Sequence, residues 1–153
     1  MEHIKELFEN YVLISAALAW LMAQILKMII ELPREKNLRV FKRFFSNGGM
    51  PSSHSSAVCA MTASSAVCFG FGSFEFAVSF ILSAIVMVDA LGVRYETGEQ
   101  AKIINRIVKE IFSGDAKEVN TGLKELVGHT PFQVLIGAIL GLSVGIALPL
   151  ILL

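Results

Sequence analysis

Residues 131–153 read PFQVLIGAILGLSVGIALPLILL, and no charged side chain interrupts them. The run matches the ~20 residues that a helix needs to cross the ~30 Å hydrocarbon layer of a bilayer. Three further apolar blocks precede it, at residues 11–30, 55–72 and 74–93. Of the 153 residues, 54% are hydrophobic and only 17% are charged. The sequence therefore predicts one all-α membrane domain, residues 1–153, folded as a bundle of about four transmembrane helices.

Charge is concentrated in the two long connections, residues 32–50 and 94–128, which hold nearly all of the lysines and arginines. Loops rich in lysine and arginine stay in the cytoplasm. We therefore expect both loops inside the cell, and the N-terminus, the short turn at residues 70–73 and the C-terminus outside. The plasma (inner) membrane is the predicted location.

Residues 100–112, in the second loop, carry isoleucine and valine at helical spacing with basic residues between them. This pattern predicts a short amphipathic cytoplasmic helix, and residues 117–126 are a candidate for a second. Such helices could lie on the lipid head groups or cover a site, and a solvated hairpin is the alternative.

Ionisable residues gather at the predicted cytoplasmic ends of all four helices: Lys27, His54, Asp89, Arg94 and His129. Ionisable groups at this depth are costly and commonly functional. Each also has a structural alternative. Lys27 could extend to the head groups, Asp89 and Arg94 could form an ion pair, and each histidine could bond a nearby backbone group.

The starts of the second and fourth helices form a predicted anion-binding environment. Helix N-termini present unpaired backbone N–H groups and a positive dipole end. Gly49 allows close backbone approach, while Ser52 and Ser53 supply hydroxyl donors. With the positive charges of Lys27 and Arg94, phosphate is the anion that fits best.

The two histidines suit phosphoryl transfer. One imidazole can attack phosphorus while the other protonates the leaving oxygen, since imidazole titrates near neutral pH. The attacking imidazole needs an acceptor on its other ring nitrogen to fix its tautomer.

Residues 51–54, PSSH, resemble the Pro-Ser-Gly-His signature of the type-2 phosphatidic acid phosphatase superfamily, which is related to the vanadium haloperoxidases. Residues 128–137, GHTPFQVLIG, resemble its last motif, His-x3-Asp followed by an apolar, glycine-bearing helix. A divergent branch of small membrane proteins is the most similar. The segments that resemble this branch are 48–55 (GGMPSSHS), 89–94 (DALGVR) and 98–101 (GEQA). The resemblance covers essentially the whole chain.

The resemblance implies that His129 is a nucleophile that forms a phosphohistidine and that His54 is the general acid. It implies that Lys27 and the segment of Ser52 and Ser53 hold the phosphoryl oxygens. The expected activity is hydrolysis of the phosphomonoester or pyrophosphate head group of a lipid at the cytoplasmic face. No metal or other cofactor is expected, and vanadate should inhibit as a transition-state analogue.

Two positions depart from the superfamily pattern. Gln133 stands where an acid should orient His129; its carbonyl can accept the same hydrogen bond at i,i+4 spacing but cannot stabilise the imidazolium by charge. The superfamily's arginine, six residues before this histidine, is replaced by Leu123. The residues that could substitute are Asp89 and Glu99 for the acid, and Arg94 and Lys124 for the arginine, with Gln100 beside them.

Two other functions remain open on the sequence. A non-catalytic binder or carrier of phosphorylated lipid head groups would keep the anion-binding features without the orienting acid. A channel is the weaker alternative, because the polar residues cluster at one face and do not continue across the bilayer. A phosphohistidine intermediate would separate a phosphatase from a binder.

Gly137, Gly141 and Gly145 form a stripe of small residues that lets another helix approach closely. The approaching helix could belong to the same chain or to a second subunit, so a homodimer through this stripe is possible. The other expected partners are the lipid bilayer and a phosphorylated lipid substrate. The formal net charge is zero, and no nucleic-acid partner is expected.

Overall fold

The computed structural model of the protein describes residues 2–31, 49–112 and 129–153. No strand occurs in these ranges, as the all-α prediction requires. Most of the first predicted loop (32–48) and the candidate helix at 117–126 lie outside them. The helices are α1 (Glu2–Phe8), α2 (Tyr11–Glu31), α3 (Ser53–Phe69), α4 (Phe74–Leu91), α5 (Val93–Phe112) and α6 (Pro131–Leu152).

Three segments of the described chain are long and apolar enough to cross a membrane: Tyr11–Ile30, Phe74–Val108 and Pro131–Leu152. They include three of the four predicted transmembrane helices, and the second of them continues past the predicted end at residue 93 to Val108. Helix α3 is not among them, because it has 17 residues and many hydroxyl side chains. The prediction of a helical membrane protein is confirmed, and a fourth span through α3 stays a prediction.

Helix α3 begins and ends earlier than the predicted block at residues 55–72. Its N-cap is Ser52, whose Oγ accepts a hydrogen bond from the backbone N–H of Ser55 at 3.4 Å. The helix ends before Gly70, which has a φ of 84°, in the left-handed region that glycine favours. The capping chemistry at both ends therefore overrides the hydropathy boundary.

The amphipathic helix predicted at residues 100–112 is present but begins earlier, because α5 starts at Val93 directly after Gly92. Ile103, Ile104 and Ile107 are exposed on its surface. A loop predicted from residue 94 is thus helical as far as Phe112. Whether α5 lies on the head groups or covers the site stays open.

Helix α6 packs along α3 through the glycine stripe. A Cβ atom built on any of the three glycines would overlap a backbone carbonyl oxygen of α3. Residue numbers rise together in these pairs, so the two helices run parallel. A homodimer stays a prediction, and it would need another surface, because α3 of the same chain occupies this one. The pairs are Gly137 with Ser52, Gly141 with Ser56, and Gly145 with Ala60.

Hydroxyl groups join α3 to its other two neighbours. Residue numbers run in opposite directions in the two pairs that join α2 to α3. They also do so for α4, which contacts α3 through Thr62 with Ser79 and Cys59 with Met87, so both helices are antiparallel to α3. One end of the bundle therefore holds the last turns of α2 and α4 and the first turns of α3 and α6; we call it the N-cap end. The bonds run from Ser15 Oγ to Ser64 Oγ (3.3 Å), from Ser56 Oγ to the Ala19 carbonyl (3.0 Å) and from Thr62 Oγ1 to the Ser79 carbonyl (3.0 Å).

Gly141→Ala should destabilise the bundle by about 1–3 kcal/mol. The new methyl group would meet backbone atoms of Ser56 and Ala60, which cannot rotate away. This cost outweighs the gain of roughly 0.5–1 kcal/mol that alanine has over glycine in a helix. Thermal unfolding in detergent, followed by circular dichroism, measures the effect.

The matched control is Ala147→Val, which adds carbon atoms at an exposed position of the same helix. It should change the stability by less than about 0.5 kcal/mol. An unchanged melting temperature for Gly141→Ala would contradict the close approach of α6 to α3.

Candidate functional site

Ser52 shapes the first turn of α3. Its buried Oγ accepts hydrogen bonds from the backbone N–H and the hydroxyl of Ser55, the latter at 2.9 Å. Gly49 lies three residues earlier with a φ of 87°, and Ser53 is the first, buried residue of the helix. The Ser52 oxygen is thus engaged within the chain, as the acceptor of two hydrogen bonds from Ser55.

One backbone hydrogen bond joins the starts of α3 and α6. The N–H of Ser52 donates to the carbonyl oxygen of Gln133 at 3.1 Å. Gln133 lies in the first turn of α6, so the two first turns are side by side. Both positive dipole ends therefore face the same region, and His54 and His129 lie at this one end of the bundle, as predicted.

His129 is 6% exposed and lies just before α6. Its Nδ1 is 3.3 Å from the side-chain Oε1 of Gln133, the i,i+4 contact that the sequence suggested. The same Oε1 accepts the backbone N–H of Thr130 at 3.1 Å, and the Gln133 N–H donates to Thr130 Oγ1 at 3.4 Å. The Gln133 side chain therefore completes a capping box with Thr130 and also contacts His129.

Lys27 is buried, at 2% exposure, three residues after the equally enclosed Gln24 on α2. Positions three apart are neighbours on a helix surface. Because α2 is antiparallel to α3, its last turns lie at the N-cap end. The structure thus places a buried cation at the end where the two helix N-termini meet.

His54 and Asp89 differ in their exposure. His54, in the first turn of α3, is exposed, and Asp89, in the last turn of α4, is half-buried. The contact between Cys59 Sγ and Met87 Sδ, at 3.9 Å, brings the end of α4 beside the start of α3. Both residues thus lie at the N-cap end with Lys27.

The site residues predicted on α5 are Arg94, Glu99 and Gln100. Glu99 forms an ion pair with Lys102 on its own helix, with Oε1 2.6 Å from Nζ. Gln100 is exposed. Arg94 lies in the first turn of α5, and its side chain falls outside the described part of the structure. The side chain found at His129 Nδ1 is that of Gln133, at 3.3 Å.

Sequence reasoning missed two residues of this end. Thr130 is the N-cap that engages Gln133, and the signal for it was the Thr-x-x-Gln spacing of a capping box. Gln24 is a buried amide one turn before Lys27. The sequence pattern that could have indicated Gln24 is a polar residue inside an apolar run, because polar residues within membrane helices commonly have a function.

No group of three His, Cys, Asp or Glu side chains that could hold a metal ion occurs among residues 2–31, 49–112 and 129–153. The geometry defines a class of protein: a helical membrane protein with a polar end, where two histidines lie at the starts of two parallel helices. A mechanism without a metal ion stays a prediction.

The chain belongs to the Divergent PAP2 family, which residues 8–144 match. It is also similar to the uncharacterized membrane protein YuiD of Bacillus subtilis, with 39% identity over 153 residues, 94% of this chain and 96% of YuiD. No solved structure matches the chain. The predicted relation to a divergent branch of the type-2 phosphatidic acid phosphatases is thereby confirmed at the level of the family.

Gln133→Ala should lower the free energy of unfolding by about 1 kcal/mol, because it removes the side-chain half of the capping box and the contact with His129. Gln133→Glu should be at least as stable as the wild type, since glutamate suits this position and a negative charge favours a helix N-terminus. Thermal unfolding in detergent at neutral pH measures both.

Ser143→Ala is the control, because Ser143 is an exposed residue of the same helix whose Oγ bonds only the carbonyl of Ile139 within its own turn. Equal melting temperatures for Gln133→Ala, Gln133→Glu and the wild type would show that the capping box does not hold the start of α6.

Proposed function

We propose that this protein is a phosphatase that hydrolyses the phosphomonoester or pyrophosphate head group of a membrane lipid. The observation that carries the proposal is the buried His129 with its Nδ1 3.3 Å from Gln133 Oε1. This contact suits the tautomer that has its proton on Nδ1. In that tautomer Nε2 carries the lone pair, and in the proposed reaction this nitrogen attacks phosphorus.

In the first step His129 Nε2 forms a bond to phosphorus while the phosphorus–oxygen bond to the lipid breaks. His54, as an imidazolium, gives its proton to the leaving oxygen. The lipid alcohol departs, or the lipid monophosphate when the substrate is a pyrophosphate. A phosphohistidine remains on the protein.

In the second step neutral His54 takes a proton from a water molecule whose oxygen attacks phosphorus. The phosphorus–nitrogen bond breaks, its electron pair returns to Nε2, and inorganic phosphate leaves. The exposure of His54 suits this role, because an exposed imidazole can exchange protons with water between turnovers. In this scheme Asp89 supplies the carboxylate that stabilises the positive charge on the imidazole of His129.

The phosphoryl oxygens are held by positive groups at the N-cap end. Lys27 is buried, and attraction between charges is stronger where water is excluded. The first turn of α3, with Gly49, Ser52 and Ser53, adds backbone and hydroxyl donors. Arg94 completes the set. Vanadate should occupy the same position as an inhibitor, with no metal required.

The substrate lies on the cytoplasmic leaflet if the basic connections stay inside the cell. Newly made phosphorylated lipids are the class that this side offers; phosphatidylglycerophosphate, phosphatidate and polyprenyl phosphates all carry the required group. The N- and C-termini then face outward from the plasma membrane.

A second function is favoured by one specific observation. The acceptor at His129 is a neutral amide, and it is shared with the backbone N–H of Thr130. A shared, uncharged acceptor stabilises an imidazolium less than a carboxylate does. The same site without turnover would be a binder or carrier of phosphorylated lipid head groups.

His129→Ala and His54→Ala should each reduce phosphate release by about a hundredfold or more, because they remove the nucleophile and the general acid. The assay is phosphate release by purified protein from each of the three lipid classes in detergent micelles. His3→Ala is the control, since α1 precedes the start of α2, at the opposite end of the bundle.

A lipid labelled with radioactive phosphate should leave an acid-labile label on the wild type and on His54→Ala, but none on His129→Ala. No release and no label from folded wild-type protein would overturn the phosphatase. Binding that persists in that case would support the carrier.

Cysteine labelling should confirm the orientation. With Cys59 and Cys68 replaced by alanine, Gly72→Cys in the turn before α4 should react with a membrane-impermeant maleimide in intact cells. Gly72 has open space around it, so the new side chain fits. Ile111→Cys, exposed on α5, should react only after permeabilisation. The reverse pattern would place the site on the outer face.

A further inference from the structure

Gln24 has a polar atom that the fold leaves unused. The side chain is 4% exposed, and its Oε1 has no hydrogen-bond partner among the described residues. A buried acceptor without a donor costs about 1–3 kcal/mol. An atom of this kind on α2 suggests a partner that arrives from outside the chain.

The antiparallel alignment of α2 with α3 sets the level of Gln24. Ala19 lies beside Ser56 through the hydrogen bond at 3.0 Å. Gln24 is five residues further along α2, about 7.5 Å at the helical rise of 1.5 Å per residue. Ser52 is four residues from Ser56 in the same direction, about 6 Å. The Gln24 amide is therefore level with the N-cap of α3.

The other polar groups proposed to hold the ligand at the level of the α3 N-cap are hydrogen-bond donors, whereas Gln24 Oε1 is an acceptor. Lys27 and the first turn of α3 are hydrogen-bond donors, which suit the charged oxygens of a phosphate. The Gln24 carbonyl is an acceptor and would be repelled by those oxygens. It suits an oxygen that carries a proton.

We propose that Gln24 Oε1 accepts a hydrogen bond from a hydroxyl of the bound phosphorylated ligand. This rests on the proposed function only as far as the ligand is phosphorylated, so it holds for the phosphatase and for the carrier. The hydroxyl is either the protonated oxygen of the phosphoryl group or an alcohol of the head group. Gln24 thereby selects ligands that can donate a hydrogen bond at this position.

Binding can be measured without turnover. Trp20 is the one tryptophan of the chain and lies one turn before Gln24, so its fluorescence reports ligand at this level. The probes are phosphatidate, which has no head-group alcohol, and phosphatidylglycerophosphate, which has one, each in detergent micelles. A phosphate monoester loses its second proton near pH 6, so measurements at about pH 5 and about pH 8 bracket this ionisation.

Gln24→Met keeps the length of the side chain and removes the acceptor. It should weaken binding about tenfold, the loss of one hydrogen bond, while the melting temperature of the empty protein stays equal or rises because an unpaired buried group is gone. Ser15→Ala, at the other end of α2, is the opposite control. It removes the hydrogen bond to Ser64 and should lower the melting temperature without weakening binding.

The two sources of the hydroxyl give different results. Each is read from the ratio of the Kd of the variant to the Kd of the wild type at one pH, so that changes common to both proteins, including those from Lys27, His54, Asp89 and His129, cancel. If the phosphoryl proton is bound, the ratio for phosphatidate is about ten at pH 5 and approaches one at pH 8. If the alcohol is bound, the ratio of about ten persists at both values, for phosphatidylglycerophosphate alone.

Wild-type affinity of Gln24→Met for both lipids at both pH values would overturn the role of Gln24. It would leave phosphate release by the wild type, and hence the proposed function, unaffected. Weaker binding by Gln24→Met in a protein that releases no phosphate would sink the phosphatase and keep the role of Gln24. A wild type that binds neither lipid would overturn both.

Discussion

The close contact of α6 with α3 determines the rest of the arrangement. Three glycines place the axis of α6 against backbone carbonyl oxygens of α3, a distance that no larger residue allows. The parallel direction of the two helices brings their N-termini to one end, where the Ser52 N–H bonds the Gln133 carbonyl. Without this contact the two histidines and the two dipole ends would have no common location. In a membrane, where apolar surface gains little from burial, such close packing is a main source of cohesion.

The polarity of α3 follows from its central position. It contacts α2, α4 and α6, and its hydroxyls make hydrogen bonds to the first two. A helix enclosed by three others needs no apolar surface toward lipid, and small polar residues let its neighbours approach. This explains why α3, which has 17 residues, is less apolar than the segments Tyr11–Ile30, Phe74–Val108 and Pro131–Leu152. It also explains why Ser56 and Ser64 are fully buried without being part of the site.

The sequence was informative where one residue type has one physical meaning. Apolar blocks gave the helices, and the i,i+4 spacing of His129 and Gln133 gave their contact. It was uninformative where two structures share a pattern: a glycine stripe looks the same whether the approaching helix is α3 or a second subunit. The ends of α3 differ from the predicted block because its start is set by the hydrogen bond to Ser52 and its end by the positive φ of Gly70. Hydropathy contains no information about either. Gln24 was missed because an unpaired atom is visible only once its surroundings are known.

The neutral side chain of Gln133 bears on both proposed functions. An aspartate in its place would stabilise an imidazolium on His129, but it would also put a negative charge beside an anion and near the buried Lys27. Burying that charge would itself carry a desolvation cost. With the amide, the contact to Nδ1 is kept, and no negative charge is added at the N-cap end, where Lys27 is buried. Under the proposed functions, the same residue would slow the formation of a phosphohistidine and strengthen the binding of a phosphorylated head group, so both proposals depend on Gln133.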